Sequence, residues 1–142
     1  MDVYGVVDGA LDEQLKLSVA ECCSHRSLPC PARRLELVVI SAAAARRPGS
    51  VPGWELNLIT GAGEDNHLGL DPANEPTHWF VLDLAIARER GVCLVGPPAR
   101  ELIGAPDAAD VRVALADVVA WYARKRDGCR NGHCCLPRLA LA

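Results

Sequence analysis

The chain has 142 residues, half of them hydrophobic and 23% charged, which is the composition of a folded globular protein rather than a disordered chain. Its formal net charge of −3 and its low aromatic content of 4% disfavour nucleic-acid binding, whether by bulk charge or by base stacking. No apolar run is long enough to span a membrane, and the acidic start of the chain lacks the basic region of a secretory signal, so we expect a cytoplasmic protein.

The first forty residues are predicted to form a strand, a helix and a second strand. Residues 3–7 are apolar and rich in β-branched side chains, and they end at an Asp-Gly turn. Apolar residues at helical spacing predict a helix from about 12 to 24, and residues 35–40 are the strongest strand signal in the chain. This order is typical of a βαβ-like unit with parallel strands, although the sequence leaves an antiparallel partner open.

The middle of the chain, residues 46–76, is rich in proline and glycine and is predicted to consist mostly of loops. Inside it, residues 54–58 alternate apolar and polar side chains, which predicts a strand with one exposed face. The character of the sequence changes at Pro76. We therefore predict an α/β domain over residues 1–75 and a helical domain over residues 76–142, an α+β protein as a whole.

Two long helices are predicted in the second half. Thr77 is the predicted N-cap of the first, which ends at Gly91, and Asp107 opens the second, whose apolar stripe runs to Tyr122. Between them, residues 92–95 are predicted to be extended and residues 99–103 to form a short helix.

Two acidic residues fall on predicted strands, where acids are depleted: Asp2 heads the first strand and Glu36 lies in the second. If the two strands are neighbours, both carboxylates converge at one edge of the sheet. Such a pair holds Mg²⁺ with substrate phosphates, or accepts a proton from an attacking hydroxyl. The alternative is that both side chains are simply solvated.

A Cys/His cluster near the C-terminus also contains metal-ligand types, namely Cys129, His133, Cys134 and Cys135. Its spacing does not form the two separated knuckles typical of structural zinc, so free thiols are the simpler interpretation.

With these acids in place, the sequence resembles the aminoglycoside adenylyltransferases that act on streptomycin and spectinomycin, within the nucleotidyltransferase superfamily. The resemblance covers nearly the whole chain. It rests on the segments Asp2-Val3-Tyr4-Gly5-Val6-Val7-Asp8, Arg34-Leu35-Glu36-Leu37-Val38-Val39, His78-Trp79-Phe80-Val81-Leu82-Asp83-Leu84-Ala85, Val92-Cys93-Leu94-Val95-Gly96-Pro97 and Arg130-Asn131 with Leu136 and Arg138.

The resemblance implies a nucleotidyltransferase sheet domain and a helical domain that transfer AMP from Mg·ATP to a hydroxyl of the drug. Asp2 matches a metal-binding acid of the family, and Glu36 matches the carboxylate that acts as general base on the drug hydroxyl. Arg138 matches an arginine that contacts the nucleotide phosphates. Trp121 and Asp127 lie near the family's drug-contacting tryptophan and acid when gaps are allowed.

The family's Gly-Ser phosphate loop and first metal-binding Asp would precede Asp2, and further helix would follow Arg138. We therefore expect this chain to be an incomplete or mis-started product with impaired transfer activity. The alternative function is a non-catalytic module of the same fold that binds a small ligand or a protein. The sequence does not fix the oligomeric state.

Overall fold

A computed structural model of the protein describes residues 1–29, 33–49, 51, 53–62, 66–74 and 78–130. Four strands among these residues form one mixed sheet: β1 Asp2–Val7, β2 Leu35–Ser41, β3 Trp54–Thr60 and β4 His67–Gly69. The strand order is β1-β2-β3-β4, with β1 parallel to β2 and the other two pairs antiparallel.

Five α-helices lie in the same described ranges: α1 Glu13–Cys23, α2 Ala42–Arg46, α3 His78–Arg90, α4 Ala99–Leu102 and α5 Ala108–Arg130. The predicted α+β class is therefore confirmed. None of the described helices combines the length and the apolar character that a membrane-spanning segment needs.

The β1-α1-β2 unit has the parallel pairing that the sequence predicted. Asp12 caps α1, because its Oδ1 accepts a hydrogen bond of 2.7 Å from the backbone N–H of Leu15. The helix then returns the chain to the start of the sheet, where the backbone N–H of Glu36 donates to the carbonyl of Met1 at 2.9 Å. The start of β1 is thus fixed beside the start of β2.

Each face of the sheet is covered by helices, because alternate strand residues point to opposite faces. On one face, α1 packs through Ala20 on a cluster made of Leu37, Val39, Leu56 and Leu58. On the other face lies a second cluster, to which α3 and α4 contribute. Its buried members are Val38, Ile40, Ala45, Trp54, Phe80, Leu84 and Ile103.

The second cluster joins strand residues before position 75 to helix residues after it, so the sheet and α3 share one core. The burial of β3 differs from the prediction, which gave this strand one exposed face. Asn57, on the predicted polar side, is only 3% exposed, whereas the burial of Trp54 agrees with its place on the predicted apolar side. The prediction of an exposed face is therefore wrong at Asn57.

A register shift lies between Val39 and Ile40, where β2 pairs with β3. Leu56 pairs with Val39 and Trp54 pairs with Ile40, which leaves Glu55 without a register partner. An extra residue of this kind re-aims the side chains next to it. Trp54 and Leu56 accordingly join clusters on opposite faces of the sheet.

Helix α5 packs on α3 along only part of its apolar surface. Of the stripe predicted from the sequence, Ala114 is buried, whereas Leu115, Val119 and Tyr122 are exposed. The apolar surface of α5 is therefore wider than the area that the described residues cover.

Three short segments differ from the predictions. Residues 92–95 form no strand and run into bends at 94–97, and the Cys93 thiol there donates to nearby backbone carbonyls, at 3.1 Å in the case of Pro97. Helix α2 and strand β4 were not predicted. The predicted cap at Thr77 and the Cys/His cluster beyond Arg130 lie outside the described residues, as does the Cys129 side chain.

Candidate functional site

Asp2 and Glu36 are brought together as the sequence predicted. They are direct register partners on the parallel pair β1 and β2. Partners in a parallel pair point to the same face of the sheet, and so do residues two positions further along each strand. Those residues are Tyr4 and Val38, which pack in the cluster on the α3 face. Both carboxylates therefore lie at one end of the sheet, on the face that α3 covers.

A third acid, Asp83, comes to the same place from α3. It lies near the hydroxyl of Tyr4, which stands two residues after Asp2 on β1 and acts to lower the Asp83 pKa. Asp83 and Tyr4 both line the cleft between the edge strand and α3. Two strands and one helix thus bring three acidic side chains and one phenol together.

The pKa shifts at this site arise from burial and from neighbouring negative charges. Desolvation raises the pKa of Asp83 to about 6, and the negative charges of Glu36 and Asp2 act in the same direction, whereas the Tyr4 hydroxyl opposes them. Burial also raises the pKa of Tyr4 well above its ordinary value, and the three acids add to that shift. Tyr4 is therefore a hydrogen-bond donor at every physiological pH.

A cleft of about 240 Å³ opens beside these residues. Its polar wall contains Asp2, Tyr4 and Asp83, and α3 supplies the apolar side chains of Ile86 and Ala87. The far end is formed by Arg90 and Gly91, where α3 stops. At Gly91 the backbone N–H donates to the carbonyl of Ala87 at 2.8 Å, and any side chain at this position would collide with that carbonyl.

Two of the three acids already have basic partners. Arg34 Nη2 lies 3.3 Å from Glu36 Oε2, and the amino group of Met1 lies 3.8 Å from Asp2 Oδ1. The Met1–Asp2 pair is largely exposed and strongly screened by solvent, whereas the Glu36 side chain is only 24% exposed. The charges of Glu36 and Asp2 both raise the pKa of Asp83.

Asp2 and Glu36 form an oxygen donor set of two carboxylates. This set suits Mg²⁺ in sites where substrate phosphates complete the coordination shell. Within the described ranges, no group of three or more His, Cys, Asp or Glu side chains is arranged to hold a metal ion by itself.

Asp2 lines this cleft, whereas Glu36 lies beside it on β2 and is not among the residues that line it. The other predicted site residues are not brought to this cleft by the described part of the chain. Trp121 lies on α5, half-buried, with its ring edge-on to Tyr122 at 4.8 Å between centroids, and it is not among the cleft-lining residues. Arg138 and the side chain of Asp127 lie outside the described residues. Their predicted roles stay predictions.

Asp83 was not predicted as a site residue, although the sequence carries a signal for it. Phe80, Leu84 and Ala87 form an apolar stripe along α3, and Asp83 occupies the position that completes the i, i+3, i+4, i+7 pattern. A charge inside such a stripe is directed toward the core side of the helix and needs a partner there, which Tyr4 supplies.

Comparison with protein-family models, curated proteins and solved structures finds no match for this chain.

Proposed function

We propose that the chain is a nucleotidyltransferase-like protein whose cleft supports transfer of AMP from ATP to a hydroxyl of a small aminoglycoside-type acceptor. The observation that carries the proposal is the register pairing of Asp2, which lines the cleft, with Glu36 on the neighbouring strand. The resemblance of the surrounding segments to the adenylyltransferases supports the same assignment.

In this function, the acceptor hydroxyl oxygen forms a bond to the α-phosphorus of ATP, and the bond from that phosphorus to the β-phosphate oxygen breaks. Pyrophosphate leaves with the bonding electrons. Glu36 takes the hydroxyl proton, which is the role of a general base. The nearby guanidinium of Arg34 orients the Glu36 carboxylate, since Nη2 lies 3.3 Å from Oε2.

Asp2 would hold Mg²⁺ together with the nucleotide phosphates. When bound there, the ion would neutralise charge on the phosphates. The Tyr4 hydroxyl and the apolar wall of Ile86 and Ala87 would orient the acceptor, because they line the same cleft as Asp2.

The test is pyrophosphate release from Mg·ATP with streptomycin or spectinomycin. We expect weak drug-dependent release by the wild-type chain, in line with the impaired activity expected from the sequence, and a reduction of about 10²–10⁴-fold in Glu36→Gln, as for loss of a general base. Glu101→Gln removes an exposed carboxylate on α4 and is the matched control, with unchanged release. Wild-type chain that binds both substrates without releasing pyrophosphate would contradict the proposal.

A second candidate is binding without transfer. It is favoured by the Arg34–Glu36 pair, since a carboxylate held by a guanidinium is as suited to ligand binding as to proton transfer. Calorimetry separates the two candidates: binding of the drug without binding of Mg·ATP supports the non-catalytic module.

A further inference from the structure

Among the described strands, β1 lies at one edge of the sheet and pairs only with β2. The phase of that pairing is given by Met1, whose amino group donates to the carbonyl of Arg34 and whose carbonyl accepts from the N–H of Glu36, both at 2.9 Å. Successive residues of an extended strand turn their backbone groups to opposite edges, so every second residue after Met1 also bonds β2. The residues between them have their N–H and C=O groups at the outer edge, namely Asp2, Tyr4 and Val6.

This outer edge lacks the features that keep sheet edges from pairing. Natural proteins shorten their edge strands, or place lysine, proline or a bulge on them. The opposite edge strand, β4, has only three residues, whereas β1 has six and contains neither lysine nor proline. The register of β1 against β2 is continuous from Asp2 to Val7. No described residue bonds the outward backbone groups of β1, so they are available to another strand.

A second copy of β1 fits this edge by symmetry. In antiparallel pairing about a two-fold axis at Tyr4, the two Tyr4 residues lie opposite each other, and each Asp2 lies opposite Val6 of the second copy. Residues of a hydrogen-bonded antiparallel pair exchange two backbone bonds, so every outward group finds its complement. The two Asp2 carboxylates lie at opposite ends of the paired segment, and the tyrosine rings form a cross-strand pair. The contact closes on itself, as a two-fold interface must.

Exposed apolar side chains adjoin the same edge. Ile86 lines the cleft with Asp2 and Tyr4 and is 60% exposed. The chain leaves the cleft at Gly91, and the aliphatic side chains that follow are each at least 81% exposed: Val92, Leu94 and Val95. Aliphatic side chains exposed together mark an interaction surface. Their burial against a second copy would add an apolar contribution to the backbone bonds of the strand pair.

We propose that the outer edge of β1, with Ile86 and residues 92–95 beside it, is the contact surface of a two-fold dimer in which one sheet continues through both copies. The second copy places its own Val6 opposite Asp2, at the polar wall of the cleft. Each cleft is therefore bordered by the other copy. The inference concerns assembly of the chain and does not depend on the proposed transfer activity.

Amide hydrogen exchange of the wild-type chain, measured above and below the dissociation constant of the dimer, tests the pairing residue by residue. The inner amides of Val3, Gly5 and Val7 face β2 and should be protected at both concentrations. The three outer amides of β1 should gain protection only at the higher concentration. Outer amides that exchange equally at both concentrations would overturn the inference.

Sedimentation equilibrium measures the mass, which for the wild-type chain should be twice the 15.2 kDa of one copy. Val6→Pro removes an outward N–H and keeps the bonds to β2, a position where edge strands tolerate proline. It should raise the dissociation constant of the dimer at least roughly tenfold, while circular dichroism shows a folded chain. If Val6→Pro does not fold, the exchange pattern of the wild-type chain decides the question.

Two exposed valines provide a matched pair of variants. Val95→Ser changes the loop beside the cleft and should weaken the dimer roughly tenfold, because each dimer loses two buried side chains. Val119→Ser changes α5, where the side chain is 68% exposed, and should leave the dimer unchanged. A wild-type chain that is monomeric at about 1 mM would overturn the inference. So would assemblies larger than a dimer, or a dimer that only Val119→Ser weakens.

Discussion

The two faces of the sheet handle a half-buried carboxylate in opposite ways. On the α1 side, Glu55 Oε2 lies 3.2 Å from Lys16 Nζ and accepts a 3.3 Å hydrogen bond from the backbone N–H of Leu11. On the α3 side, Asp83 has one phenol and two neighbouring acids. The first carboxylate is neutralised inside the fold and the second is not.

This difference indicates which of the two acids stabilises the fold. Glu55 links β3 to α1, and Lys16 also donates to the carbonyl of Leu70 at 3.4 Å, so the pair ties three segments together. Asp83 opposes its neighbours and has a raised pKa, as acids at functional sites often do. The comparison can be tested by changing one side at a time.

The largest effect is expected in the two apolar clusters, which should be equivalent. Leu56→Ala on the α1 side and Leu84→Ala on the α3 side each remove a fully buried side chain, so each should lower the free energy of unfolding by about 2–5 kcal/mol. Urea unfolding of both variants measures this. If the free energy of unfolding fell by less than 1 kcal/mol in one variant only, the two clusters would not contribute equally to stability.

The second largest effect on stability is expected when Glu55, the acid paired with Lys16, loses its charge. Glu55→Gln leaves the Lys16 ammonium half-buried without its counter-charge, so unfolding should become easier by about 1–3 kcal/mol. Glu101→Gln, an exposed carboxylate, serves as control and should stay within about 0.5 kcal/mol. An unchanged urea midpoint for Glu55→Gln would show that the pair is not structural.

Loss of the Asp83 charge should have the opposite effect on stability from loss of the Glu55 charge. The pKa of Asp83 is raised from 3.8 to about 6 in the folded chain, so the folded state binds this proton more tightly than the unfolded state. Stability from this group is therefore full below pH 3.8 and is lost as the pH rises through 6.

Asp83→Asn should accordingly stabilise the protein at pH 7, by about 1 kcal/mol once solvent screening of this half-exposed group is allowed for. It should also remove part of the pH dependence between pH 4 and 6. Thermal unfolding of wild type and variant across that range measures both effects. A variant that is less stable at pH 7 would mean that Asp83 stabilises the fold.

The smallest effect is expected at an exposed ion pair on the α3 side, where Arg100 contacts Glu89. Their side chains are 63% and 54% exposed, so Arg100→Gln should change the unfolding free energy by less than about 0.5 kcal/mol. Set beside Glu55→Gln, this variant tests whether burial decides what an ion pair contributes. A loss as large as that of Glu55→Gln would contradict it.

The strands around the site were predictable because their apolar runs are continuous, and an acid at each strand start stands out against them. The prediction of neighbouring strands then placed Asp2 beside Glu36, as the register has it. The burial of Asn57 on β3 was not predictable from alternation, because asparagine counts as polar in the pattern and predicts an exposed position.

Asp83 was missed for a related reason. Sequence periodicity shows which side of a helix is apolar, whereas it does not show what faces a charge on that side. The partner, Tyr4, is 79 positions earlier, and only the packing of α3 on the edge strand brings the two together. Helix α2 was missed because a short alanine run has no polar face to mark its period.

Within the described sheet, β1 lies at one edge and pairs only with β2, so the site is built on the alignment of a single pair of strands. A slip of one residue would turn Asp2 toward α1 and present Val3 at the cleft in its place. Such a chain would keep its content of helix and strand and lose its chemistry. Activity at this cleft would therefore show whether β1 has paired with β2 in the correct register. Measurements of total helix and strand content do not make that distinction.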